Sequence, residues 1–251
     1  MKRQKERELP PVVEAVKFEL RSQFQRDVIK SIRRNHITAL IGNAGSGKTL
    51  LACYAALQLH SSGDIKKIAV VRLAREAHFE KIGALPGSVE DKLGFISAPI
   101  YDNLELMLPK SKIDNMVADK TIEILPVSYL RGRSLHDTLL IVEEVQNLPR
   151  EAVLTILTRI AAGSKIVLTG DPDQQDFEHV NSCNWVAQLL HGVSGCTLYN
   201  MPAVENYRHP VIPAILANAK RHLTPTLAPT LLTTSNSPTP TLRTPDYPDV
   251  S

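Results

Sequence analysis

Gly42-Asn43-Ala44-Gly45-Ser46-Gly47-Lys48-Thr49 fills the pattern G-x-x-x-x-G-K-[ST] at every fixed position. Ile37-Thr38-Ala39-Leu40-Ile41, just upstream, reads as a short buried strand, and Leu50 to His60 reads as a helix that opens at the Lys-Thr pair. Strand, glycine-rich turn and helix in that order form a cradle for an anion. Glycines let the backbone curl so that successive N–H groups of Gly42, Asn43, Ala44, Gly45, Ser46 and Gly47 point inward, and the new helix adds its positive end. Lys48 is then expected to reach the β- and γ-phosphates of a nucleotide, and the Thr49 hydroxyl to hold Mg²⁺. A chance glycine-rich turn would not have all four positions filled between a strand and a helix.

The pattern around the loop repeats. Runs rich in Val, Ile and Leu occur at Ile37 to Ile41, Ile68 to Val71, Thr121 to Pro126, Leu139 to Val142, Ile166 to Thr169 and, more weakly, Cys196 to Tyr199. Segments with apolar residues at helical spacing follow at Leu50 to His60, Ile100 to Leu108, Arg150 to Ala161, Trp185 to His191 and Val211 to His222. Apolar strands alternating with helices predict an α/β P-loop NTPase domain: a mostly parallel sheet with helices on both faces. Three segments are expected: an N-terminal arm at 1–20, charged and then extended through Pro10-Pro11, the ATPase domain at 21–223, and a flexible tail at 224–251. The tail holds eight Thr and six Pro, which suit neither a helix nor a central strand.

Of the 251 residues 43% are hydrophobic and 22% charged, the balance of an ordinary globular protein. No apolar run approaches the roughly 18 to 20 residues of a membrane span, and Met1 to Glu8 has no apolar signal region, so a cytoplasmic protein without a membrane partner is expected. Cys53, Cys183 and Cys196 are odd in number and lack C-x-x-C spacing, which suggests reduced thiols rather than a disulfide framework or zinc site. The net charge of +3 does not establish a nucleic-acid partner. Three basic clusters, Arg33-Arg34, Lys66-Lys67 and Arg131-Gly132-Arg133, are each able to meet phosphates, although basic loop residues are usually just solvated.

A phosphate-binding loop needs an acid at the end of a neighbouring strand. Leu139-Leu140-Ile141-Val142 runs into Glu143-Glu144, which assigns Glu143 to the Mg²⁺ side and Glu144 to the general base that polarises the attacking water. Ile166 to Thr169 runs into Gly170-Asp171-Pro172-Asp173-Gln174. Polar groups at a strand's carboxyl end beside the loop face the nucleotide crevice, so Asp171 and Gln174 are candidates to sense the γ-phosphate or its water. A bare turn is the alternative, because Gly, Asp and Pro are common turn residues.

Taken in order, Gly-x-x-x-x-Gly-Lys-Thr, Glu143-Glu144-Val145-Gln146-Asn147 and Gly170-Asp171-Pro172-Asp173-Gln174 resemble the first motor lobe of superfamily 1 helicases and, more closely, the PhoH family. The resemblance extends from about Gln25 to about Leu216 and includes Gly83-Ala84-Leu85-Pro86-Gly87, Tyr101-Asp102, Arg131-Gly132-Arg133-Ser134-Leu135, Leu157-Thr158-Arg159 and Arg208-His209-Pro210. It implies a RecA-like fold, ATP and Mg²⁺ as cofactors, ATP hydrolysis, and action on RNA or single-stranded DNA. By the same resemblance, Gln25 stands where such proteins have an adenine-reading glutamine. A Gln amide can donate to and accept from the adenine edge at once, though Gln25 also reads as a plain surface helix residue. Arg208 stands as the charge-stabilising arginine.

Two departures matter. Relatives usually have Asp-Glu-Ala-Gln where this chain has Glu143-Glu144-Val145-Gln146. The extra methylene moves the carboxylate by about 1.5 Å, and a misplacement near 1 Å can cost on the order of 10²-fold in rate. Arg75-Glu76-Ala77-His78 is also more charged than the usual stretch. About 200 structured residues suffice for one lobe, whereas strand-walking motors close a cleft between two. A homo-oligomer is therefore expected, with a ring such as a hexamer as one form. The alternatives are an ATP-binding switch or scaffold with little hydrolysis, and a small-molecule P-loop kinase.

Overall fold

The structure, a computed structural model, describes residues 18–72, 98–174 and 182–202, together with 211, 214, 215 and 218. The arm up to residue 17, the tail at 224–251, Arg75 to His78 and Arg208 lie outside the described residues. Contacts group the chain into two units, 1–213 and 214–251, and in the second the described residues 214, 215 and 218 are helical.

Six strands form one sheet: β1 Ile37–Ile41, β2 Lys67–Arg72, β3 Ile122–Pro126, β4 Thr138–Val142, β5 Lys165–Gly170 and β6 Cys196–Asn200. Their order is β3-β2-β4-β5-β1-β6, and every neighbouring pair is parallel. Each strand coincides with an apolar run expected from the sequence. All carboxyl ends therefore lie along one edge of the sheet, and β5 sits between β1 and β4. The loop after β1, the two glutamates after β4 and the Gly-Asp turn after β5 are thereby brought side by side.

Six helices are described: α1 Gln23–Arg34, α2 Lys48–Ser61, α3 over 98–105, α4 Lys110–Ala118, α5 Arg150–Leu157 and α6 Ser182–Leu190. Strand side chains alternate between faces, so β4 splits its residues between two cores. Leu139 and Ile141 join Leu40, Val70 and Val167 under α1, α2, α3 and α4, while Leu140 and Val142 join Ala39, Val71 and Leu168 under α5 and α6. All five residues of β4 are buried. Helices on both faces of a parallel sheet, as the sequence led one to expect, give the P-loop NTPase architecture.

Three helices depart from the sequence expectation. The α1 helix had no range from the sequence, where Gln25 read only as a surface helix residue; Gln25 is in fact buried, Ser22 caps the helix by accepting from the Gln25 N–H at 3.2 Å, and the Gln25 side chain reaches back to accept from the Arg21 N–H at 2.7 Å. That is nearly a capping box, followed by buried Val28, Ile29 and Ile32. The α4 helix, which begins after Pro109, was also missed, because it buries only Ile113 and Met116. The α5 helix stops at Leu157 rather than Ala161, since Leu135 pairs in parallel with Ile160. There the Leu135 N–H donates to the Arg159 carbonyl at 2.9 Å, and the Ala161 N–H to that of Leu135 at 3.0 Å.

Candidate nucleotide-binding site

The glycine-rich loop leaves β1 between its two sheet neighbours. The Gly42 N–H donates to the Gly170 carbonyl of β5 at 3.0 Å, and the Met201 N–H after β6 donates to the Ile41 carbonyl at 2.7 Å. A Cβ added to Gly42 would stand 2.7 Å from the Met201 Cβ, so glycine is required there by close approach. Gly47, the cap residue of α2, has φ 81° and ψ 16°, a left-handed backbone that other residues adopt at a cost of about 1–2 kcal/mol. Within this loop the Lys48 Nζ donates to the Gly42 and Asn43 carbonyls at 2.6 and 2.9 Å. The ammonium is thus folded over the cradle. The buried Ser46 hydroxyl has no partner among the described residues.

From the adjacent helix start, the Thr49 hydroxyl donates to the Glu143 Oε1 at 2.8 Å. Glu143 is 4% exposed, and its N–H continues the β4–β2 ladder to the Val71 carbonyl, which fixes the carboxylate at the strand's end. One hydroxyl and one carboxylate suit Mg²⁺, which takes few protein ligands and completes its octahedron with water and phosphate oxygens. Among the described residues no group of three His, Cys, Asp or Glu side chains forms a denser metal site.

Glu144 follows with φ 55° and ψ 46°. A non-glycine residue in this region is strained, and here the strain turns the second carboxylate away from the strand and toward the cleft. Gln146, 1% exposed, holds it there: its amide nitrogen donates to the Glu144 Oε2 and, at 3.2 Å, to the Gln174 carbonyl, while its oxygen accepts from the Asp171 N–H at 3.0 Å. One buried amide thus ties the end of β4 to the turn after β5. No site role for Gln146 was assigned from the sequence. Its signal lay in Glu143-Glu144-Val145-Gln146, but its partners become evident only once β4 and β5 are neighbours.

Asp171 is 4% exposed and accepts from the Asp173 N–H at 3.0 Å. Burial raises its pKa above the usual carboxylate value, and the Asp173 N–H, the Lys48 charge and the Ala44 N–H offset part of that rise. Its carboxylate therefore faces the loop. The Cys183 thiol behind it is pushed up to about 12 by burial first and then by Asp171, and burial likewise raises Cys53, so neither is a thiolate nucleophile at neutral pH.

These groups line a cleft of about 490 Å³ that contains Ala44, Gly45, Gly47, Lys48, Thr49, Glu143, Glu144, Asp171 and Gln174. α3 also lines it, through Pro99, Asp102 and Asn103, with the 61% exposed Leu106 just after the helix. Sequence reasoning gave no site role to these residues. Gln25 does not line the cleft: it is fully buried at the start of α1, its amide oxygen taken by Arg21 and its amide nitrogen without a partner among the described residues.

The model of the PhoH-like protein family matches residues 17–219. The chain belongs to this family. A PhoH-like protein of Bacillus subtilis is 34% identical over 213 residues, covering 84% of this chain and 66% of that one. One from Synechocystis is 35% identical over 199 residues, covering 78% and 60%. The PhoH-like chain described here thus spans about two thirds or less of these relatives' length. Among solved structures, the Sulfolobus solfataricus SWI2/SNF2 ATPase core in complex with dsDNA is similar at TM-score 0.42 and 14% identity, over 63% of this chain and 33% of that one. That likeness is too loose to add to what the sheet order already establishes.

Proposed function

We propose that this PhoH-like protein is a Mg²⁺-dependent ATPase that works with RNA or single-stranded DNA. The observation that carries the reading is the linked pair at the strand ends: Thr49 bonded to Glu143, and Glu144 bonded through Gln146 to the Asp171–Gln174 turn. Thr49 and Glu143 would hold Mg²⁺, which would supply neutralisation of phosphate charge there. The loop N–H groups and Lys48 bind and orient the triphosphate, and Lys48 must leave the Gly42 and Asn43 carbonyls to do so. Glu144 accepts the proton of the attacking water. Gln174, fixed through its backbone to Gln146, reports whether the γ-phosphate is present. Arg208 is assigned the charge-stabilising role from a neighbouring copy, within a homo-oligomer such as a hexameric ring.

Preference for ATP rests on the family resemblance at Gln25 alone: its amide nitrogen has no partner among the described residues but is buried outside the cleft, so reading an adenine edge requires the start of α1 to open. Its oxygen already caps α1, so the same residue also has a purely structural task. A nucleic-acid partner is supported by the Gly170-to-Gln174 turn, which Gln146 couples to the base and which a small-molecule kinase has no use for. We place the protein in the cytoplasm, where its free cysteines stay reduced. A second reading, an ATP-dependent switch with little hydrolysis, draws on Glu143: the longer acid touches Thr49 directly, where a shorter one would leave room for the metal.

Hydrolysis by the full chain with Mg²⁺, alone and with single-stranded RNA or DNA, together with the oligomeric mass, tests the proposal. Turnover that rises severalfold with polynucleotide is expected. Tight ATP binding with no turnover under any condition would favour the switch, and phosphate transfer to a metabolite the kinase.

A further inference from the structure

Of the three basic clusters in the sequence, the fold sets two aside. Arg33-Arg34 closes α1 ahead of β1 and Lys66-Lys67 opens β2, so both lie at the amino-terminal edge of the sheet, away from the nucleotide cleft. Their leading charges are also engaged: Arg33 with Asp64 at 2.6 Å and Lys66 with Asp137 at 2.7 Å. The third cluster starts from the other edge and runs back along the sheet: Arg133 is 3.8 Å from Glu123 near the start of β3, and Leu135 pairs with Ile160 ahead of β5. Arg131-Gly132-Arg133 follows β3, whose carboxyl end lines up with those of β4, β5 and β1 because every strand is parallel. With β2 between β3 and β4, this segment leaves the sheet two strand spacings, about 10 Å, from the end that carries Glu143 and Glu144.

The segment is built for display. Leu130 and Leu135 are buried and anchor it, while Ser128, Tyr129, Arg131, Gly132, Arg133 and Ser134 between and before them are exposed. Tyr129 is 55% exposed, on a 3-10 turn over Val127–Leu130 whose last carbonyls are tied by the Arg131 and Arg133 N–H groups. Among the described residues the Tyr129 hydroxyl and the Arg131 guanidinium have no partner, and Arg133 has only a distant one, Glu123 at 3.8 Å. Gly132, at φ 75°, has no atom within 4 Å of where a Cβ would stand, so a chain can approach the backbone there. An exposed aromatic face flanked by two arginines provides what a single-stranded polynucleotide requires: a stacking platform for a base and cations for the flanking phosphodiesters.

We propose that Tyr129, Arg131 and Arg133 form the contact surface for a single-stranded nucleic acid, with a base stacked on Tyr129 and adjacent phosphates on the arginines. The surface deepens the functional reading above and rests on it. It places the polymer along the outer strand β3, on the crossover that leaves the carboxyl edge and returns toward the amino edge.

The test is fluorescence anisotropy of labelled oligouridylate RNA and oligothymidylate DNA with the full chain, wild type, Tyr129→Ala, and the Arg131→Ala/Arg133→Ala pair, across a salt series. Binding of a fluorescent ATP analogue and the oligomeric mass are measured on each. Tyr129→Ala is expected to weaken binding by about tenfold or more. The arginine pair is expected to lower the slope of log affinity against log salt by about 1.4, with nucleotide affinity and mass unchanged. The Arg131→Lys/Arg133→Lys pair should retain the slope. Wild-type protein that binds neither polymer overturns the functional reading and this surface with it. Wild-type binding that both variants keep overturns the surface alone, as does a loss accompanied by altered mass, which would assign the patch to contact between copies.

Discussion

Asp171 is a buried carboxylate facing the phosphate cradle, and its charge has a consequence that can be read without any nucleotide. Burial, the largest cause, raises its pKa in the folded protein above the value in the unfolded chain, about 3.9. A raised folded pKa means the group favours folding below its unfolded value and loses that contribution as pH climbs through the folded one. At neutral pH the ionised Asp171 therefore costs stability. Asp171→Asn keeps the oxygen that accepts from Asp173, and it is expected to raise the melting temperature at pH 7.5, with the gap closing as pH falls toward about 4. Calorimetry across that range decides it; a gap that is constant or reversed would show that the carboxylate is not destabilised by burial. The residues proposed to act on phosphate, Lys48, Thr49, Glu143 and Glu144, could be picked out in the sequence because motifs mark them. Gln146 was not, since two of its three partners, Asp171 and Gln174, lie on a segment brought to it only by sheet order.

At the scale of single elements, the turn after β5 depends on a residue without a side chain. A Cβ at Gly170 would lie 2.6 Å from the Val145 Cγ1 and 2.8 Å from the Cys183 Sγ, so Gly170→Ala must displace packed atoms. We expect a loss of about 1–3 kcal/mol in urea unfolding and weaker nucleotide binding, because Asp171 moves with the turn. Unchanged unfolding would mean the turn has slack that the packing does not show. The α1 cap offers a milder case. Ser22→Ala removes the acceptor for the Gln25 N–H and should cost about 1 kcal/mol by the same measurement. The strands were readable because each is a short apolar run in a sheet covered on both faces, which leaves few alternatives. The helices were less so: α4 carries too few apolar residues to show a period, and α5 ends early because of a bridge to Leu135, a partner remote in sequence.

For the molecule as a whole, strand order does the work of assembling a site. Inserting β5 between β1 and β4 brings three strand ends together, and the crossover after the edge strand β3 carries Tyr129, Arg131 and Arg133. Alternation of apolar strands and helices made the layered sheet legible, but no local pattern dictates the order β3-β2-β4-β5-β1-β6, so the lining supplied by α3 became evident only from the fold. The central claim is that this convergence hydrolyses ATP with Glu144 as the base. Phosphate release at saturating ATP and Mg²⁺, compared between wild type and Glu144→Gln with ATP affinity measured in parallel, tests it most directly. The account predicts turnover lower by about 10²- to 10⁴-fold in the variant at unchanged affinity. Equal turnover in the two proteins, or a wild type that binds ATP and never releases phosphate, would contradict it.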